Sequence, residues 1–315
     1  MIDFSKFNSL FSLTIYFSSE TKCKQAIIES RWGDDVVCPF CGKHHCKMSK
    51  SGRFHCTHCN KNFSCLVGTI FENTKLPLCK WFMAMYLISS HKKGISSYQL
   101  AKDIEVSQHS AWYMLQKVRM LLSQDDSKGF EGAVECDEVY IGGKEKWKHK
   151  SMRTPHTQGR STATKTPIFG MMERGNDMSH VHAFVVGKTD KATLQPIISQ
   201  FVEEGSAIIT DELNAYNGID TLGYSHFVVN HGAEEYAVGD IFTNSIEGFW
   251  SHFRRMISGC YHNVSDEHLQ QYIDEAVYRW NTRKAPQEEC FKCMFAKSIG
   301  LVVTWEELKL CEKVA

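Results

Sequence analysis

Three regimes of apolar spacing follow one another along the chain. In the first, apolar residues recur at helical intervals. Residues 1–37 read as helical, with Ala26, Ile27 and Ile28 inside Lys22–Ser30. Pro77–His91 is an apolar helix that Gly94 breaks, and shorter helical patterns cover Ser97–Ile104 and Ser107–Leu122. A second regime, residues 38–68, interrupts these helices and gathers cysteines instead. The Ser-, Asp- and Gly-containing stretch Ser123–Gly129 marks a boundary. Beyond it the period falls to two. Gly132–Ile141 alternates as a strand, and Pro167–Glu173 and His180–Val186 make two more, with a turn at Gly175-Asn176-Asp177 between them. Lys191–Glu204 is an amphipathic helix, Ser206–Thr210 and His226–Asn230 are short strands, and Ser245–Met256 and Asp266–Arg283 are helices.

Three strands followed by alternating helix and strand predict an α/β mixed five-stranded sheet with flanking helices. The order is that of a ribonuclease H-like domain. The expected partition is a helical segment over 1–37, a cysteine module over 38–68, a helical region over 69–122, the sheet domain over 130–290 and a tail over 291–315. Hydrophobic residues make up 43% of the 315 positions, enough for packed cores. Formal charge is zero, from 36 basic and 36 acidic side chains, but its distribution is uneven. Between Cys38 and Arg119 there are 12 Lys/Arg against 3 Asp/Glu, and from Lys144 to Lys165 there are 7 against one. Local basic faces of this kind suit phosphate. Met1–Phe17 carries no basic leader or cleavage site and no apolar run spans a membrane, so a soluble intracellular protein is expected.

The thirteen cysteines include Cys38-Pro39-Phe40-Cys41 and Cys56-Thr57-His58-Cys59, separated by 14 residues. Each pair makes a tight knuckle that aims two thiolates at one ion, and two knuckles complete a tetrahedron suited to one structural Zn²⁺. Gly42 and Asn60 follow the knuckles where the chain turns, and Arg53–His55 and Asn62–Cys65 read as the strands of a zinc ribbon. Downstream, residues 96–119 resemble a helix-turn-helix in which Ser107 caps the second helix. On that helix Gln108 and His109 would face the major groove, while Lys117 and Arg119 would meet phosphates. An ordinary three-helix bundle is the plainer reading of the same pattern.

Two-metal phosphoryl transfer needs carboxylates that converge from separate elements. Asp137 stands within an otherwise apolar strand, Asp211 follows directly after the strand Ala207–Thr210, and Glu247 lies on the first turn of a later helix. Each has a plain alternative: a strand charge, a helix cap, and the acidic end of a capping box with Asn244. Glu138 and Glu212 are set aside because strict alternation turns them to the opposite side from their neighbours.

Beyond these single positions the chain resembles the zinc-ribbon DDE transposases of prokaryotic insertion sequences, a group similar to Merlin-type transposases. The resemblance is carried by Val134-Glu135-Cys136-Asp137-Glu138-Val139-Tyr140-Ile141-Gly142-Gly143, by Ile209-Thr210-Asp211, and most strongly by Asn244-Ser245-Ile246-Glu247-Gly248-Phe249-Trp250-Ser251 with Arg254-Arg255. It implies that Asp137, Asp211 and Glu247 bind two Mg²⁺ or Mn²⁺ ions and catalyse cleavage and joining of DNA, with Asn244 the alternative to Glu247 at the third position and Glu247 the better metal ligand. Arg254, Arg255, Lys144 and Lys146 would then contact DNA. The implied partners are transposon ends and target DNA, held by a homodimer or larger synaptic complex in the cytoplasm, at the nucleoid, with no membrane. Two rival readings stand beside it: a ribonuclease H-like nuclease that cuts without joining, and a DNA-binding regulator without catalysis.

Overall fold

The computed structural model describes residues 2–124, 129–142, 149–154, 163–175, 178–229, 243–304 and 306–308. The chain divides into two compact units, one formed by Met1–Leu122 with Lys284–Lys309 and the other centred on Ser123–Arg283.

The first unit is helical apart from one small sheet. Its helices are α1 (Leu10–Tyr16), α2 (Glu20–Trp32), α3 (Leu78–Ser90), α4 (Ser97–Asp103) and α5 (Gln108–Met120). A serine hydroxyl caps four of them: Ser9, Ser19, Ser96 and Ser107 each accept the backbone N–H three residues on. Helix α3 begins at a proline, and there the Glu20 carboxylate of α2 accepts the Leu78 N–H at 3.0 Å. The small sheet is antiparallel, in the order β1 (Cys46–Met48), β2 (Phe54–Cys56), β3 (Asn62–Phe63). Trp32 at the end of α2 packs edge-on against Phe54 and Phe63, which stack on each other at 5.5 Å.

The segment after residue 290, expected as a tail, instead carries a helix through Ser298 that folds with the first unit. This element is α9 in chain order (Gln287–Ser298); it buries Phe291 and Phe295 against Phe4, Phe7 and Phe82. Between α4 and α5 the chain turns at Glu105, whose φ of 53° is left-handed, and the Lys80 ammonium holds the Glu105 carbonyl at 2.7 Å.

The second unit is built on five strands in the order β6-β5-β4-β7-β8. They are β4 (Ala133–Ile141), β5 (Thr166–Glu173), β6 (His180–Val185), β7 (Ala207–Thr210) and β8 (Ser225–Val228). Strands β4, β5 and β6 are antiparallel neighbours, whereas β4, β7 and β8 run parallel. The first strand is therefore central with the fourth beside it, the arrangement that goes with the ribonuclease H-like order of elements. Helix α6 (Lys191–Phe201) covers one face through Leu194, Ile197, Ile198 and Phe201, joined by Val134 and Cys136 of β4. Helices α7 (Asn244–Met256) and α8 (Leu269–Asn281) cover the other through Ile246, Phe249, Trp250, Ile273 and Val277, joined by Val139.

Strand β6 lies at an edge, and side-chain amides occupy its outward groups. Asn281 bonds both the N–H and the carbonyl of Val181, Gln124 does the same for Ala183, and Gln270 takes the Val185 N–H. Such pairing closes an edge that would otherwise invite another strand. Among the described residues no helix is long and apolar enough to cross a membrane.

Candidate active site and metal centres

The two knuckles of the ribbon repeat one backbone pattern. The Gly42 N–H bonds the Cys38 carbonyl at 2.9 Å, and the Asn60 N–H bonds the Cys56 carbonyl at 2.9 Å. Gly42 and Asn60 both adopt positive φ, 68° and 58°, which is why glycine and asparagine stand there. The four sulfurs of Cys38, Cys41, Cys56 and Cys59 lie within 4.8 Å of one another. Across the knuckles, Cys38 Sγ is 3.7 Å from Cys59 Sγ and Cys41 Sγ is 3.7 Å from Cys56 Sγ. A tetrahedron with metal–sulfur bonds of about 2.3 Å has edges of about 3.8 Å, so the spacing fits one zinc ion and is far from a disulfide. The Cys59 backbone N–H, with help from that of His58, holds the Cys56 thiol down to about 6, favouring the thiolate that a metal needs.

In the second unit the acidic residues gather where the parallel ladder ends. Strands β4 and β7 pair only from Ala133 to Glu135, so Asp137 and Glu138 project past the end of β7, where Asp211 follows Thr210. Asp137, Glu138 and Asp211 each place a carboxylate oxygen within 4.8 Å of the others. Burial pushes Asp137 up to about 6, and the neighbouring charges of Asp211 and Glu247 add to the rise. The Glu138 backbone N–H and the Trp250 indole act in the opposite direction. Asp211 accepts the Leu213 N–H at 3.0 Å, which fixes its carboxylate at the turn. The buried Tyr216 phenol donates to Glu138 Oε1, and burial together with that carboxylate raises its pKa well above the usual tyrosine range.

This gathering includes a residue that sequence reasoning excluded. Alternation along β4 does separate Asp137 and Glu138, but both lie beyond the last β7 pairing, and each still brings a carboxylate oxygen within 4.8 Å of Asp211. Asp137 and Asp211 come together as expected. Glu247 is outside the 4.8 Å group, on the first turn of α7, yet near enough for its charge to be felt at Asp137. Asn244 is the first residue of α7 and not its cap; the cap position is Thr243, with no side-chain cap bond.

The start of α7 is served from the sheet instead. Glu135, fully buried on β4, accepts the Ser245 N–H at 3.1 Å and the Ile246 N–H at 3.0 Å through Oε2, and pairs with Arg174 Nε at 2.6 Å through Oε1. Its signal in the sequence was an acidic residue two positions before Asp137, on the same strand face.

Of the DNA-facing residues expected in the first unit, His109 is exposed and Gln108 is half-buried, its amide on the Ser97 hydroxyl at 2.9 Å. Lys117 and Arg119 overturn their expected role. Both are buried, Lys117 with its ammonium on the Ile70 carbonyl at 3.1 Å and Arg119 against Gln116. The second half of α5 is buried, so charge was a poor guide to the outward face. Arg254 and Arg255 are exposed on the last turn of α7. Lys144 and Lys146 lie outside the described residues; Lys150 and Arg153, from the same basic stretch, are exposed.

Comparison with known proteins agrees with these features. Residues 129–281 match the ISXO2-like transposase domain and residues 18–62 match the transposase zinc-ribbon domain. An uncharacterized protein in transposable element ISH50 of Halobacterium salinarum is 28% identical over 295 residues, covering 90% of this chain and 98% of its own length. An uncharacterized transposase-like protein of Haemophilus influenzae is 33% identical over 101 residues, 32% of this chain and 80% of that protein. A structure of the Mos1 strand transfer complex aligns at 15% identity over 69% of this chain and 78% of that one, with a TM-score of 0.28 that carries no weight. The chain belongs to the insertion-sequence DDE transposases that join a zinc ribbon to an ISXO2-like catalytic domain.

Proposed function

We propose that this transposase binds the ends of its element and target DNA, and that Asp137, Asp211 and Glu247 hold two Mg²⁺ or Mn²⁺ ions, with Glu138 as a further ligand. The observation that carries the reading is the meeting of Asp137, Glu138 and Asp211 at the end of the β4–β7 ladder, beneath the helix that bears Glu247. Hard carboxylate oxygens are the donors such cations prefer; burial raises Asp137, and the charges of Asp211 and Glu247 beside it add to the rise. When bound, the ions would activate water and then a DNA 3′-hydroxyl, and neutralise charge on the leaving oxygen.

The chain's own groups do the rest. Asp211 is held by the Leu213 N–H, and Tyr216 holds Glu138, so neither carboxylate needs to reorganise. Arg254 and Arg255, about 10 Å along α7 from Glu247 at 1.5 Å per residue, would grip phosphates beside the scissile bond. Gln108 and His109 at the start of α5 would read the major groove in a helix-turn-helix, and the ribbon, closed around zinc, would brace that unit. Two element ends are brought together, which calls for a homodimer or larger complex acting on DNA in the cytoplasm.

The test is joining of a labelled duplex, carrying the end of this element, to a plasmid in Mg²⁺ or Mn²⁺. Wild type should give joined product. Asp137→Ala, Asp211→Ala and Glu247→Ala should each lower it by at least about 10³-fold while duplex binding persists. Cutting without joining would make it a nuclease, and binding without cutting would make it a regulator. An Asn244→Ala loss with Glu247→Ala unaffected would relocate the third ligand.

A further inference from the structure

We infer that Glu135 is a positioning residue for catalysis: its buried carboxylate fastens the start of α7 to β4, and so sets Glu247 against Asp137. The inference rests on the metal site proposed above.

Four observations support it. A fully buried carboxylate is costly unless donors surround it. Glu135 has three: Arg174 Nε at 2.6 Å, and the Ser245 and Ile246 N–H groups at 3.1 and 3.0 Å. Those two N–H groups belong to the first turn of α7, where the Thr243 side chain makes no cap bond, and a residue 110 positions away accepts them as a helix cap would. A negative charge at that end is also favoured by the helix dipole.

A second fastening lies one turn on. A Cβ at Gly170 of β5 would fall 2.5 Å from the Trp250 ring and 3.3 Å from Ile246, so the missing side chain is the notch in which Trp250 sits. Gly170 is the ladder partner of Asp137. Glu247 therefore lies between Ile246, tied to Glu135, and Trp250, seated over Gly170. Both anchors reach the sheet at residues adjoining Asp137: Glu135 two positions before it and Gly170 across the ladder. The circuit Asp137, Gly170, Trp250, Glu247, Ile246, Glu135 closes on itself through bonds and packing. Strain at its Glu135 link moves one carboxylate relative to the other without removing either.

The experiment uses the full zinc-loaded chain. Glu135→Gln keeps size and one acceptor oxygen but removes the charge facing Arg174; Glu135→Asp keeps the charge and withdraws it by one methylene. Mn²⁺ binding is titrated without DNA from the free-ion electron paramagnetic resonance signal, with Asp137→Ala as control, and joining is resolved into kcat and KM for the end duplex. Loss of a residue that orients metal ligands lowers affinity by about 10–100-fold. Both Glu135 variants should show a loss of that size in Mn²⁺ affinity and in kcat, with KM unchanged.

Wild-type Mn²⁺ affinity and kcat in both Glu135 variants would overturn the proposal. If they fold poorly, Thr243→Asp is added as a local cap. Recovery of thermal stability without kcat supports positioning; recovery of both reduces Glu135 to a structural cap and overturns the proposal. If Asp137→Ala binds Mn²⁺ like wild type, the metal-site reading fails, and this proposal fails with it.

Discussion

The four thiols and the three gathered carboxylates are both clusters of donor groups suited to a cation, assembled in opposite ways. Cys38, Cys41, Cys56 and Cys59 come from 22 consecutive residues, and each knuckle is closed by its own backbone bonds. Asp137, Glu138 and Asp211 come from two strands joined through an antiparallel hairpin and a crossover, with Glu247 on a third element. One cluster is complete in its coordination and has no place for a substrate. The other lies open at the end of a ladder. The first should need its ion to fold, while the second should fold without one and be strained by the lack.

Breaking the sulfur cluster has the largest expected effect. Structural zinc binding in ribbon-sized modules is on the order of 10 kcal/mol. Cys56→Ser, or a strong chelator, should release zinc and loosen Trp32 from Phe54 and Phe63, read by metal content and near-ultraviolet dichroism. Cys46→Ser should retain zinc; a loss equal to that of Cys56→Ser would place Cys46 among the ligands.

The acidic cluster predicts the opposite sign. Asp137 sits at about 6 against an ordinary carboxylate value of 3.8, so the folded chain binds its proton more tightly than the unfolded chain. Metal-free stability should therefore fall as pH rises from about 4 to about 6, by up to about 3 kcal/mol, and stay level above. Asp137→Asn should remove that slope and raise the metal-free melting temperature at pH 7 while abolishing joining. A variant less stable than wild type without metal would refute the contrast. Added Mn²⁺ should stabilise wild type and leave the variant unmoved.

Gly170→Ala tests the docking of α7 more gently. Its methyl would meet the Trp250 ring, and overpacking of this kind costs about 1–3 kcal/mol. A shift in tryptophan emission with lowered stability is expected; an unchanged melting curve would mean that Trp250 is not seated there. The smallest stability effect is His109→Ala, within about 0.5 kcal/mol because the side chain is exposed. It should weaken end-duplex binding, whereas Lys117→Ala should destabilise the first unit.

What was legible followed the range of the interactions. The ribbon was readable because two spacings of two residues and a gap of 14 define it locally. The order of the second unit was readable because strand-like and helix-like stretches kept to their own segments. Glu138 was missed because alternation holds within a sheet and says nothing about where a ladder stops. Lys117 and Arg119 were misread because the buried half of α5 is set by what packs around it, and Lys117 is taken up by a carbonyl 47 residues before it. Glu135 was hidden for a related reason. Its partners are 39, 110 and 111 residues away, and only the tertiary fold introduces them.

The sealed edge of β6 has a consequence in time. Val185 leaves the ribosome 85 residues ahead of Gln270, and Val181 leaves 100 residues ahead of Asn281. With synthesis at roughly 5–20 residues per second, those outward groups wait on the order of 5–20 s for the amides that will cover them. Only Gln124, made earlier, is present from the start. Throughout that interval a nascent chain offers neighbouring nascent chains a strand that the finished enzyme never shows. Crowded translation on one messenger would therefore be the setting in which this domain is most exposed to mispairing.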